Sequence, residues 1–359
     1  MQHFGSAFPA EARSFLASFA ASHAREELLR HLERIRALRV LFVGEAIIDE
    51  YQYCETMGKS GKEPVLAARF VSAEQFAGGV LAVANQAAAL CDHVGLLTVL
   101  GAEDSHEKFI RARLDPKIAA SFLYASGART ILKRRLVEIY PFQKLFEIYV
   151  MDPGALETVS EQLCRRLEEL LPGYDAVVVT DYGHGMFTPE AIDLLCREGR
   201  FLAVNTQINA ANLGFNTISK YRRADCICLS EKELRLEARN TRKDLRLIMA
   251  ETAQKLACQW MIITRGREGC LCYHAVEGFV SIPAFTLRIV DRIGAGDALL
   301  AVSALAVARG VPMDVVGFLG NVVGAQAVET VGNRGVVSRA ALVERMDAML
   351  NRDFWTAAP

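Results

Sequence analysis

The stretch with the clearest chemical content is Asp291-Arg292-Ile293-Gly294-Ala295-Gly296-Asp297, followed at once by an apolar run over 298–308. Small residues crowd the point where a helix would begin, so unpaired backbone N–H groups and the positive end of a helix dipole converge on one spot. That spot attracts an anion. Gly294 and Gly296 present no Cβ to a bulky oxyanion, and Asp297 falls in the first helical turn. A proton acceptor beside an anion cradle suits transfer of a phosphoryl group to a hydroxyl. Asp297 would be the base, and the N–H groups of Gly294, Ala295 and Gly296 would steady the developing charge. Taken alone, the motif fits equally well an acidic residue that merely complements the dipole.

The elements that must position these residues read as an α/β fold. Short β-rich runs at 39–44, 94–99, 175–180, 201–205, 225–229 and 260–264 alternate with helical patterns at 80–91, 155–171, 189–197 and 245–257. Strands apolar on both faces, separated by helices, imply a mostly parallel sheet covered on both sides. Helical patterns return at 313–330 and 339–350, and Gly310 with Pro312 closes the helix that Asp297 opens. Residues 1–38 read as an N-terminal extension of one or two amphipathic helices that cap the fold or join an oligomer. Residues 39–350 form one domain, and 351–359 a tail. Two segments near 50–77 and 125–150 break the alternation with polar, β-branched and aromatic residues. They are expected to project from the sheet edge as a small β lid that excludes water.

Composition narrows the function classes. With 41 basic and 42 acidic residues, the net charge of −1 carries no overall field for nucleic acid or an anionic membrane. No apolar run reaches the roughly 18 residues of a membrane span. The nine cysteines form neither a CxxC pair nor a zinc spacing. An odd count without an export signal favours a reducing cytoplasm. Cys226/Cys228 and Cys270/Cys272 have the period of a strand, which would put each pair on one face as buried thiols. Gly58-Lys59-Ser60 resembles the end of a P-loop, but Tyr53 stands where the first glycine belongs and no apolar helix follows.

In combination, the 291–297 stretch, Gly78-Gly79 and the turn Thr264-Arg265-Gly266-Arg267-Glu268-Gly269 resemble the ribokinase-like (PfkB) carbohydrate kinases. Within that family the likeness is to heptose 7-phosphate kinase domains of ADP-heptose synthesis. Val40–Asp49 looks like the family's first strand, Lys59–Val65 like its substrate-side loop, and Thr180-Asp181-Tyr182-Gly183-His184-Gly185 like its Asp-Tyr-Gly-Lys-Gly element. The resemblance implies a three-layer α/β/α sandwich with a β lid, ATP as phosphoryl donor and Mg²⁺ as cofactor. It makes Asp297 the base and residues 294–296 the anion hole. Asp49 would hold sugar hydroxyls, while Gly78 and Gly79 would let the sugar lie against the backbone. Thr264, Gly266, Gly269 and Asn321 would border ATP. Glu233 would organise magnesium and phosphate, with Ser230 in the same Asn-x-x-Glu element. A homodimer through lid strands is the expectation the family carries.

The chain departs from the heptose kinases at several contacts. Ala82 stands in place of an Asn, Ser230 in place of another, His184 in place of Lys, and Asn205-Thr206-Gln207 in place of Asp-Pro-Lys. His184 and Asp181 follow a strand's carboxyl end, the side on which open α/β sheets bind ligands. Asn205 opens an amide-rich strand end suited to phosphate-side contacts or to capping a loop. Lys59 has a lid or substrate-side role. Lys133, with Arg134, Arg135 and Arg129, either faces solvent or binds a phosphate on the sugar.

These residues point to an ATP-dependent kinase for a sugar or sugar phosphate, with nucleic acid and membrane spans excluded as partners. A nucleoside or other small-alcohol kinase, and a non-catalytic sugar- or nucleotide-binding protein on the same fold, remain open.

Overall fold

Doubly apolar strands can be satisfied only between two layers of helices, and the chain builds that arrangement. The computed structural model describes residues 8–351. Two helices, α1 (Ala10–Ser22) and α2 (Arg25–Arg36), precede strand β1 (Arg39–Gly44). The long hairpin β2 (Ala46–Lys59) and β3 (Leu66–Gly79) follows, then α3 (Val80–Ala88), β4 (His93–Gly101), α4 (Glu107–Arg113) and β5 (Ile118–Ala125). A second hairpin, β6 (Ile131–Glu138) and β7 (Gln143–Val150), interrupts the alternation. It resumes with α5 (Ser160–Leu170), β8 (Ala176–Asp181), α6 (Pro189–Glu198), β9 (Leu202–Thr206) and β10 (Cys226–Ser230). Then come α7 (Glu231–Glu237), α8 (Leu245–Lys255), β11 (Trp260–Thr264), β12 (Cys270–His274) and β13 (Gly278–Ile282). Helices α9 (Ala295–Ala308), α10 (Met313–Ala327) and α11 (Arg339–Leu350) complete the described chain.

The main sheet has nine strands in the order β13-β12-β11-β10-β9-β8-β1-β4-β5. It is parallel from β11 to β5, and β12 and β13 add an antiparallel edge. Alternation along β1 divides the core: Val40 and Phe42 pack with α3, α9 and α10, whereas Leu41 and Val43 face α5, α6 and α8. Helix α9 is buried from Ala298 to Val307, which explains why its sequence is apolar on every side. Strand order reverses at β1, flanked by β8 and β4, and the carboxyl ends of β1 and β8 open onto this switch point.

The second sheet, β3-β2-β6-β7, is the lid. Its strands run within 46–79 and 131–150, and the parallel β2/β6 register sets Asp49 opposite Lys133. Gly58–Ser60 lies at the tip of the β2/β3 hairpin with no helix after it, as rejection of a P-loop requires. Of the N-terminal extension, residues 1–7 lie outside the described residues, and the rest is two helices whose Leu16, Phe19, Leu28, Leu32 and Ile35 join the α9 side of the core. All nine cysteines are free, and Cys270 and Cys272 bring their sulfurs to 3.6 Å on one strand face. Among the described residues no helix is long and apolar enough to cross a membrane. Most of the expected tail, 352–359, lies outside the described residues.

Candidate active site

Helix α9 begins where the sequence placed it. Gly294 is its N-cap at φ 85°, and an added Cβ would come within 2.0 Å of Asn333 Oδ1, so only glycine fits. Gly296 faces open space, with nothing within 4 Å of where a Cβ would sit. Asp297 lies in the first turn, half-buried, and accepts a hydrogen bond from the Tyr182 hydroxyl at 3.1 Å. Loss of solvation pushes its pKa up to about 6; the Tyr182 hydrogen bond and Lys133 oppose the rise, while Asp49 and Glu233 add to it. The result is a carboxylate with raised basicity at the positive end of a helix.

On the lid side, Asp49 is buried and ion-paired with Arg135, which also holds Glu147 at 2.6 Å. Asn333 Nδ2 reaches Asp49 Oδ2 at 3.4 Å, and a Cβ on Gly78 would fall 2.1 Å from the same oxygen. Gly78 therefore makes room for the Asp49 carboxylate itself. Gly79, at φ 58°, would bring a Cβ to 2.5 Å of the Glu45 carbonyl. Lys133 is 4% exposed, and its ammonium lies over the rings of Tyr149 (4.9 Å) and Tyr182 (5.7 Å). Burial lowers its pKa, and Asp49 partly restores it. Arg129, Arg134 and Arg135 are each paired with carboxylates, whereas Lys133 has no carboxylate at ion-pair distance among the described residues.

The 181–185 turn is anchored from below. Glu45, fully buried after β1, accepts the backbone N–H of Tyr182 at 2.9 Å and of His184 at 3.1 Å. Burial, then the neighbouring Asp181, raises its pKa to about 7. Asp181 is in the lining of a cavity beside this turn with its carboxylate already engaged. Its oxygens take the Tyr221 hydroxyl (2.7 Å), the Lys220 ammonium (2.5 Å) and the Gly183 N–H (3.0 Å), so it shapes the turn. His184 is buried with neither ring nitrogen bonded; burial, then Lys133, lowers its pKa to about 3, so it enters the site as a neutral ring. It borders a cavity of about 310 Å³ shared with Arg129, Asn212 and Lys220.

On the opposite side of α9 lies a cavity of about 710 Å³ whose walls include Thr264, Gly266, Gly269, Ala295, Gly296 and Asn321. The structure thus gathers these residues from β11, the 265–269 turn, α9 and α10. Gly269, at φ 83°, would drive a Cβ into the Ile282 carbonyl at 2.0 Å. The Ser230/Glu233 pair is a capping box: Glu233 Oε2 accepts from the Ser230 N–H and hydroxyl, both at 2.7 Å, and Oε1 accepts from the Ile208 N–H at 3.1 Å. Glu233 is nevertheless near enough to act on Asp297. Among the described residues no group of three or more His, Cys, Asp or Glu side chains forms a metal cage. A single carboxylate near the start of α9 is a donor set of the kind magnesium takes, since that ion keeps waters and phosphate oxygens as ligands.

Two candidate site residues line none of these cavities. Lys59 is exposed at the far end of β2, about 30 Å from Asp49 at roughly 3.3 Å per residue. The Asn205 amide donates to the Cys228 carbonyl at 2.8 Å and ties β9 to β10, while Asn209 and Asn212 hold the Tyr182 carbonyl. The amide-rich stretch thus caps a loop. Sequence reading missed Glu45, Tyr182 as partner of Asp297, and Asn333. Ala82 and Asn333 both border a crevice of about 30 Å³ with Asp297, so an amide from a distant turn stands near the position where Ala82 lacks one.

The fold has a family to go with it, and that family's class is phosphotransferase with an alcohol group as acceptor. Residues 37–339 match the family described as pfkB family carbohydrate kinase, and the chain belongs to that family. It is 26% identical over 324 residues to the bifunctional protein HldE of Citrifermentans bemidjiense, covering 89% of this chain and 66% of that one. It spans just under two thirds of that relative's length. Phosphofructokinase-2 from Escherichia coli, solved with fructose-6-phosphate, superposes with a TM-score of 0.68 at 15% identity, over 88% of this chain and 100% of that one. Ribokinase from Arabidopsis thaliana, solved with ribose and ATP, gives a TM-score of 0.64 at 17% identity, over 86% and 99%.

Proposed function

We propose that the protein transfers the γ-phosphoryl group of ATP to a hydroxyl of a sugar or sugar phosphate of the heptose 7-phosphate kind, with Asp297 as general base. One observation carries this reading: Ala295 and Gly296 line the 710 Å³ cavity, while Asp297, one residue on, lines the crevice on the other side with Asn333. A nucleotide held in the cavity would present its terminal phosphate to the N-terminus of α9. An acceptor beside Asp49 would meet it there, and Asp297 would remove the hydroxyl proton as the oxygen attacks in line.

Lys133, a buried cation near both carboxylates, would balance negative charge on the acceptor or on the group in transit. Magnesium, bound through Glu233, water and phosphate oxygens, would neutralise the nucleotide's charge. Arg135 and Asn333 fix Asp49, and the lid excludes water. The HldE likeness favours a sugar phosphate of cell-envelope polysaccharide synthesis, in the cytoplasm. Incubation with ATP, magnesium and a panel of pentoses, hexoses, heptoses, their phosphates and nucleosides tests it. Transfer to a heptose phosphate supports the reading, transfer to nucleosides alone replaces the acceptor, and no transfer to any member removes the activity.

The lid also presents an apolar face. Met57, Phe70 and Phe146 are 66%, 61% and 54% exposed, a pattern suited to covering by a second copy. A homodimer through this sheet completes the proposal.

A further inference from the structure

We infer that the described N-terminal segment ahead of the family-matched region, from Phe8 through α1, is a working wall of the nucleotide site and sets how tightly, and which, nucleotides bind. The family match begins at residue 37, yet Pro9 lines the same 710 Å³ cavity as Thr264, Gly296 and Asn321. The inference rests on the reading of that cavity as the nucleotide site.

The segment is held there by specific packing. Phe8 is buried, and its carbonyl accepts a hydrogen bond from Arg13 at 2.5 Å. From α1, Phe19 stacks on Phe318 at 4.3 Å between ring centroids, Phe15 meets Phe285 at 5.9 Å, and Phe285 and Phe318 touch each other at 5.7 Å. The last two rings are fully buried behind the cavity's walls rather than in its lining. Phe285 sits between Ala284 and Thr286, which both line it, and Phe318 is one turn before Asn321 on α10. At the far end of α1, His23 bonds Asp314 in the first turn of α10 at 2.7 Å. The aromatic stack thus backs the two segments that border the cavity, while Pro9 contributes to its lining. A shift of α1 moves the wall. Pro9 is itself exposed to the cavity and to solvent, so a larger side chain there enters the nucleotide's space without disturbing the core.

The test is calorimetric titration of the 359-residue protein with ATP and with GTP, for wild type and the Pro9→Trp, Pro9→Phe and Phe19→Ala variants, with the thermal midpoint of each recorded without nucleotide. Pro9→Trp and Pro9→Phe are expected to weaken ATP binding by about tenfold or more at an unchanged midpoint. Phe19→Ala is expected to weaken binding and to change the ATP-to-GTP ratio. Wild-type affinity in both Pro9→Trp and Pro9→Phe overturns the inference and leaves the kinase proposal standing. Failure of the wild type itself to bind ATP removes both, and is told apart by the wild-type titration alone.

Discussion

The Tyr182 hydroxyl donates to Asp297 Oδ1 at 3.1 Å, joining the turn after β8 to the first turn of α9 across 115 residues of chain. The bond stabilises the ionised carboxylate and so limits how far burial raises its pKa. A base works only when deprotonated. With the Asp297 pKa at about 6, kcat/KM is expected to fall about tenfold per unit below that pH and to level above it. In Tyr182→Phe the acid limb moves to higher pH, because an interaction favouring the charged form is gone. A pH–rate profile of both proteins checks this, and a limb that stays in place or moves down contradicts it.

Glu45 gives a separate pH signature, in stability. Its folded-state pKa of about 7 lies above the ordinary carboxyl value, so the native state holds its proton where the unfolded chain has lost it. Stability from this group is therefore greatest below the ordinary value and is lost as pH rises towards 7. Glu45→Gln is expected to flatten that part of a thermal-midpoint profile. Glu45→Ala strands two buried backbone donors and is expected to cost about 2–4 kcal/mol in denaturant unfolding.

Gly78 and Asp49 are coupled by space. Gly78→Ala would set a methyl 2.1 Å from Asp49 Oδ2, forcing the carboxylate off Asn333 and Arg135. Steady-state kinetics are expected to show kcat/KM for the acceptor lowered by about 10-fold to 100-fold with KM for ATP unchanged. An equal loss for both substrates would place the effect elsewhere.

The lid face makes a prediction about assembly. Phe70→Glu combined with Phe146→Glu sets charges on two exposed apolar positions and is expected to convert a dimer into monomers in light scattering, with the thermal midpoint changed little. A wild type that is monomeric at assay concentration contradicts the proposed interface.

The sequence exposed what depends on local pattern. Runs such as Val40–Val43, apolar on both faces, announce a parallel sheet, and Gly-x-Gly-Asp before an apolar run announces the start of α9. Strand β5 was not visible, because Ile-Ala-Ala-Ser-Phe-Leu-Tyr-Ala is a half-exposed edge rich in small residues. The supports of the site were hidden for another reason. Glu45 lies 137 residues from Tyr182, and Asn333 lies 284 from Asp49, so no spacing rule links them. Asp181 shows the opposite error, since a carboxylate at a strand's carboxyl end looks free for ligand until Tyr221 and Lys220 fold onto it.

The central claim is that Asp297 takes the acceptor's proton. Asp297→Asn keeps the shape and the helix-start hydrogen bonding but removes the base. With ATP, magnesium and the acceptor selected from the panel, turnover is expected to fall by about 10²–10⁴-fold while calorimetric affinity for ATP stays at the wild-type value. Turnover retained within a few-fold of wild type would contradict the account.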